Sequence, residues 1–300
     1  MQLLRTLGRF AGRAIVLGFM VYLLVFVAFA VLPLDPARSL LGPMASSEAV
    51  SELNAHYGLD LPLPAKLAKV TLRAVQGDFG VSLIHGVPVV PLVASALGTT
   101  LVRLLLALTI GFMMARKLVP VLVSTGFQGT STLLAGIAGV PSFVLLALLL
   151  MVFASGFGLS PFQHPLAYNV LAVLVAALVV FVTVALTIFE RINYQHHPSR
   201  PAQFLLMLHA PVDRLVHILM RSAMPAAFAA LANSVAPALT ALTFAEYVFG
   251  LDGFGVMFLR ACSYGDMAVV AFGSLIVAFL FALVQSGMAT SSRMADRRMV

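Results

Sequence analysis

Seven histidines and one cysteine are the side chains of this 300-residue chain best suited to metal binding or nucleophilic work, and their spacing supports neither. His196 and His197 are adjacent, so on a helix they diverge by about 100°. His209 and His217 share one loop, while His56, His85 and His164 are scattered. A metal site needs converging ligands with supporting partners, so no bound metal is expected. The single Cys262 excludes an internal disulfide and a cysteine-rich metal site. No phosphate loop of the GxxxxGK[ST] kind is present: in Gly111–Lys117 an arginine, Arg116, stands where the second glycine belongs. GxGxxG, HExxH and CxxC are also missing. Glu190 and Arg191 read as an interfacial pair, and no convergent catalytic set emerges. The expectation is a protein that is not an enzyme and carries no cofactor of its own.

More informative are polar residues inside long apolar stretches, where ionisable groups are costly and usually face a cavity. Arg103, Asn233, Ser234, Thr240 and Glu246 are such residues, and they are the candidates for lining a translocation path. Arg103 is expected near the outer end of its stretch, with its head snorkelling to water. Pro225, Pro237 and many alanines surround Asn233 and Ser234. Small residues allow close helix packing, and prolines need neighbours to satisfy freed carbonyls. Lining a passage and simple close packing explain that composition about equally well.

The elements that must position these residues follow from the composition. The chain is 61% hydrophobic and 10% charged, with a mean hydropathy of +1.04. An ordinary soluble domain is nearer half apolar and a quarter charged. So much apolar surface cannot be hidden inside a particle of this size, which leaves lipid as its solvent. A bilayer core about 30 Å thick needs roughly 20 apolar helical residues. Six such spans are expected, at about 14–33, 99–119, 133–154, 168–189, 222–245 and 267–289. The fold class is therefore an all-α integral membrane protein.

Charge sets the orientation. One side receives Arg5, Arg9, Arg13, Arg116, Lys117, Arg191, Arg200, Arg214, Arg221, Arg293, Arg297 and Arg298, against Glu190, Asp213 and Asp296. The other side receives Arg38, Lys66, Lys69, Arg73, Arg103 and Arg260, outnumbered by acids. The positive-inside rule makes the first side cytoplasmic, with residues 1–13 and 290–300 as cytoplasmic ends. This asymmetry accounts for the formal charge of +7 without any nucleic-acid partner. The Arg-rich start followed by Ala28-Phe29-Ala30 is similar to a secretory leader, but the apolar run of about 20 residues exceeds the usual 7–15. A retained first helix is expected.

Outside the lipid, residues 34–98 form the largest segment, on the outer side. Ser46 or Ser47 caps an expected helix that Gly58 stops. Leu59–Pro64 reads as an extended link, Ala65–Val75 as an amphipathic surface helix, and Gly77-Asp78-Phe79-Gly80 as a turn. On the cytoplasmic side, the 190–221 loop has a polar, proline-broken first half. It then runs through Leu208-His209-Ala210-Pro211 into a helix from Val212 containing Asp213 and Arg214. A docking element and an ordinary interfacial loop both fit this pattern.

Several short strings, in order over about residues 14–285, resemble the permeases of dipeptide/oligopeptide/nickel ABC importers, in particular their first membrane subunit. Pro33-Leu34-Asp35-Pro36 is similar to P-G-D-P, Tyr57–Pro62 to L-G-L-D-x-P, and Gly77–Ser82 to G-D-[LF]-G-x-S. Val140-Pro141-Ser142-Phe143 matches I-P-x-F. Arg221-Ser222-Ala223-Met224 resembles R-N-A-x, and Glu246–Phe249 with Gly253-Phe254-Gly255 resembles E-x-[IV]-F…G-[LF]-G. Tyr264-Gly265-Asp266 stands near the family's R-D-Y-P.

The resemblance implies the type I ABC importer permease fold in a bacterial inner membrane. It also implies a second homologous permease subunit, two cytoplasmic ATPases that bind ATP and Mg, and a periplasmic binding protein. Asp35, Asp60 and Asp78 then belong to the platform on which the binding protein sits. Leu208, His209, Ala210, Pro211, Asp213 and Arg214 belong to the coupling loop that docks on an ATPase. That loop departs from the family pattern: no glycine lies between Gln203 and Pro225, and the expected acid before it is absent. Pro211, which presets φ, is the candidate substitute for the turn. Nickel or metallophore cargo, and a degenerate non-transporting scaffold, are the alternatives the sequence leaves open.

Overall fold

The structure, a computed structural model, describes residues 18–25, 36–42, 44–57, 62–124, 129–161, 163–194 and 212–296, with single positions at 12, 15, 16, 27 and 28. Among these residues the fold is helical apart from one isolated antiparallel bridge, Val81 to Pro88. Four helices are long and apolar enough to cross a bilayer, and a bent helix pair makes a fifth candidate. In the first expected span, 14–33, the described positions 15, 16, 18–25, 27 and 28 are all helical, and the other positions lie outside the described residues. The chain divides into two compact units: residues up to Thr99 with Asp252–Leu283, and Thr100–Leu251 with the residues after Leu283.

In the first unit, the outer segment folds as α1 (Pro36–Leu41), α2 (Ser47–Tyr57) and α3 (Leu63–Val75). Ser46 caps α2, its Oγ accepting from the Ala49 N–H at 3.2 Å. Gly58, the expected stop, lies outside the described residues. Leu63 and Pro64 belong to α3 and not to an extended link, because proline is tolerated in a first turn, where the N–H has no intrahelical partner. A tight turn follows α3. Gly77 and Gly80 take φ of +81° and +82°, a region glycine enters without steric cost. Asp78 Oδ1 accepts from the Gly80 N–H at 2.9 Å. The hairpin then closes, with Ser82 donating its N–H to the Val87 carbonyl and Val89 to the Gly80 carbonyl. The second part of this unit holds α10 (Phe254–Tyr264) and the start of α11 (Met267–Asp296). α10 was not expected. It is short, with apolar and polar residues mixed around Arg260 and Cys262, and it gives no span signal.

Helix α4 (Val89–Ser124) begins ten residues before the expected span start at 99, because Pro91 falls in its first turn and does not interrupt it. At 1.5 Å per residue its 36 residues run roughly 54 Å, well beyond a bilayer core.

The second unit is built around α7 (Pro165–Tyr194), which packs against α5 (Thr130–Gly139), α6 (Ser142–Met151), α8 (Val212–Asn233) and α9 (Val235–Phe249). Its buried face is largely alanine and valine, including Ala172, Ala176, Ala177, Val180 and Val184. Small side chains let neighbouring backbones approach closely, which is how helices associate where lipid is as apolar as leucine. Gly111 is the extreme case. A methyl group there would come within 2.5 Å of the Ala177 carbonyl oxygen and 2.7 Å of Val180 Cβ.

One expected continuous span is broken, and another is locally interrupted while remaining a single candidate span. The 133–154 stretch bends by 81° between α5 and the α6 segment, which ends in a π-helical turn at Val152–Gly156. Pro141 causes the bend: it forces Val140 out of the helical region, to φ −78° and ψ 118°, and offers no N–H. The 222–245 stretch is α8 followed by α9, with the break at Ser234. Pro237 lies four residues after Asn233, and a proline ring displaces the carbonyl of residue i−4. Hydrogen bonds still cross the break, from Ser234 N–H to Ala230 and from Ala238 N–H to Ser234.

Candidate functional site

Within the second unit, α4, α7 and α9 bring together a buried polar cluster. Thr100 and Arg103 share one face of α4 at i, i+3 spacing. Arg103 Nη1 lies 2.7 Å from Glu246 Oε1, and the Thr100 hydroxyl donates to the same oxygen at 2.6 Å. Arg103 Nε donates to Asn169 Oδ1 at 2.8 Å, while Asn169 Nδ2 donates to the Pro165 carbonyl. Glu246 is fully buried and Arg103 is 8% exposed. The expectation that Arg103 reaches water is therefore corrected. Its guanidinium is held inside by a carboxylate and an amide, since a charge withdrawn from water persists only when paired and hydrogen-bonded.

The remaining path candidates are dispersed. Ser234 is buried and donates to the Leu231 carbonyl. Thr240 is exposed and donates to the Ala236 carbonyl. Asn233 is exposed at the end of α8. Asn169 was missed by sequence reasoning because a lone amide near a helix start carries no pattern. The Glu246–Arg103 partnership was missed because its members are 143 residues apart.

Asp78 is exposed in its turn. Asp35 and Asp60 lie outside the described residues, as do Leu208, His209, Ala210 and Pro211 of the coupling loop. Asp213 and Arg214 fall in the first turn of α8, their side chains outside the description. Among the described residues, no three His, Cys, Asp or Glu side chains converge as metal ligands would.

The first unit contains a second buried carboxylate. Asp266, 1% exposed, accepts from the Ser82 hydroxyl at 2.6 Å and from the Ile84 N–H at 3.3 Å. Its other oxygen accepts from the Val269 N–H at 3.3 Å, near the start of α11. His85 sits beside Ser82, its Nδ1 3.2 Å from the hydroxyl oxygen. Ser82 and Asp266 carried only a motif likeness in the sequence, and their contact closes 184 residues of chain.

Membrane-crossing apolar helices, small-residue packing and polar groups buried in pairs define an integral membrane component. The family of binding-protein-dependent transport system inner membrane components matches residues 107–300, and the chain belongs to that family. It is a multi-pass inner-membrane protein of a transport family. It is also similar to the glutathione transport system permease protein GsiC of Escherichia coli (strain K12) and of Shigella boydii serotype 4 (strain Sb227). Each is 32% identical over 149 residues, 48% of this chain and 48% of the relative. The same protein of Shigella flexneri serotype 5b (strain 8401) is 31% identical over the same length. The match thus spans about half the length of these curated relatives.

Proposed function

We propose that this chain is one of two membrane subunits of an ATP-driven importer for short peptides of the glutathione kind. The observation that carries the reading is family membership over residues 107–300. The relatives' role in glutathione transport supports peptide cargo over nickel or a metallophore. In this reading a periplasmic binding protein docks on the outer segment, with Asp35, Asp60 and Asp78 on the platform. Two cytoplasmic partner subunits bind ATP and Mg; the chain itself has no ATPase site and no cofactor. Leu208, His209, Ala210, Pro211, Asp213 and Arg214 transmit hydrolysis to the helices. Arg103, Asn233, Ser234, Thr240 and Glu246 border the path. Both termini face the cytoplasm. A ligand or nucleotide shifts such an equilibrium only by binding one state better than the other, so the loop contact must differ between outward- and inward-open forms.

The test is co-expression with the second permease subunit, the two ATPases and the binding protein, followed by reconstitution into liposomes. ATP-dependent, binding-protein-dependent uptake of labelled glutathione is the expected result. A chain that isolates without those subunits and supports no uptake would instead be a membrane scaffold.

A further inference from the structure

Helix α3 presents an exposed face made of two kinds of residue. Ala65, Ala68, Lys69, Leu72 and Arg73 are exposed, whereas Thr71 and Ala74 are half-buried. At about 100° per residue, Ala65, Ala68 and Leu72 fall within roughly 60° of one another, and Lys69 and Arg73 lie about 40° and 80° further round. The face is thus an apolar strip, with Leu72 64% exposed, edged by a cationic one. Lys69 and Arg73 stand at i, i+4 spacing, where like charges repel. Neither side chain has an ion pair or hydrogen bond among the described residues. Asp78, the carboxylate nearest in the chain, is turned to the Gly80 N–H. What this pair of cations lacks is an anion.

The level at which α3 sits decides where that anion comes from. Thr71, on its inner side, faces the buried Tyr22 of the first expected span. One turn back along that span, a methyl group at Gly18 would lie 3.1 Å from Leu275 Cδ1 of α11. The turn that follows α3 rests on the first two turns of the same helix. A methyl group at Gly80 would lie 3.9 Å from Ala268 Cβ, and the Phe79 and Phe272 rings are 4.2 Å apart between centroids. The apolar part of α11, Met267–Val284, has 18 residues and a length of roughly 27 Å, close to the thickness of a bilayer core. Its first turns therefore mark the edge of the hydrocarbon, and α3 is fixed beside them, where acyl chains give way to phosphates.

We propose that the exposed face of α3 is a binding site for an anionic phospholipid. The lipid phosphate accepts hydrogen bonds from Lys69 and Arg73, whose long stems let the charged heads reach it. The acyl chains cover Ala65, Ala68 and Leu72. A soluble protein partner fits this face less well, because its apolar strip stands at the height of lipid. The site is independent of the cargo, so it stands or falls apart from the transport reading.

The test uses the full chain with Cys262→Ser and Ala68→Cys, the thiol carrying a fluorophore that brominated acyl chains quench. It is placed in nanodiscs of phosphatidylcholine and phosphatidylglycerol at about 3:1, with bromine on one lipid or on the other. Both lipids should quench, and phosphatidylglycerol should do so well beyond its share of the bilayer. Lys69→Gln and Arg73→Gln should each lower that preference about fivefold, the scale of one basic residue near an anionic surface. The two together should abolish it, whereas Lys69→Arg with Arg73→Lys should keep it. Raising the salt concentration should weaken it, since exposed charges are screened. The substituted side chains are exposed, and an unshifted gel-filtration profile confirms that each variant is folded. Quenching in proportion to bulk lipid content, or a preference that survives loss of both cations, overturns the site. So does a label that neither lipid quenches; if added binding protein then shields that label from aqueous iodide, the face belongs to that protein instead.

Discussion

Arg103 and Glu246 each make the other tolerable in an apolar helix bundle. Removing one partner strands a buried charge, at a cost of about 3–5 kcal/mol, whereas replacing both with apolar groups of similar volume is often neutral. Arg103→Ala and Glu246→Ala should therefore each lower the midpoint of thermal unfolding more than Arg103→Met combined with Glu246→Leu does. The chain contains no tryptophan, so the folded fraction after heating is best read by size-exclusion chromatography. A double variant as unstable as the summed singles would mean that the pair itself is a net source of stability. Cys262, on α10 outside the spans, gives a prediction with a pH sign. Burial pushes its thiol up from the ordinary value, and only the thiolate reacts. Maleimide labelling of the native chain should be slower than that of the denatured chain at pH 7, and should rise by about tenfold per pH unit toward pH 9. Equal native and denatured rates would show that α10 does not shield the thiol.

At the scale of elements, the sequence made helix existence legible and helix continuity illegible. Runs of about 20 apolar residues located α4, α7 and α11, because length and hydropathy suffice for a span. The prolines at 141 and 237 were visible as residues, but whether a proline bends a span, as at Pro141, or only interrupts it, as near Ser234, depends on what its neighbours satisfy. Pro141→Ala restores a donor and relaxes Val140. It should straighten the α5–α6 bend, seen as a longer spin-label distance between residues 131 and 150. An unchanged distance would place the cause of the bend in packing. Gly111 is the matching case for contact between elements. With Ala177 and Val180 this close, Gly111→Leu should prevent accumulation of folded protein, while Gly98→Leu, in open space, should not. The coupling loop is tested by function: His209→Glu with Ala210→Arg should reduce stimulation of the partner ATPases by the loaded binding protein. Unchanged stimulation would exclude this loop as the contact.

At the scale of the whole molecule, charge alone sets the expected arrangement across the membrane, since lysine and arginine gather on alternate connections. A Cys262→Ser chain carrying Asp78→Cys should react with a membrane-impermeant maleimide in sealed cells, and one carrying Arg116→Cys should not. The reverse pattern would invert the protein in its membrane. What no local pattern could disclose is that the first unit draws on both halves of the chain. The Ser82–Asp266 clasp has a consequence for synthesis. Residue 82 leaves the ribosome long before residue 266 exists, so the hairpin's buried acceptor is supplied only when nearly the whole protein has been made. Until then the Ser82 hydroxyl and the Ile84 N–H depend on water for a partner, and a chain truncated before Asp266 would leave both without that acceptor for good.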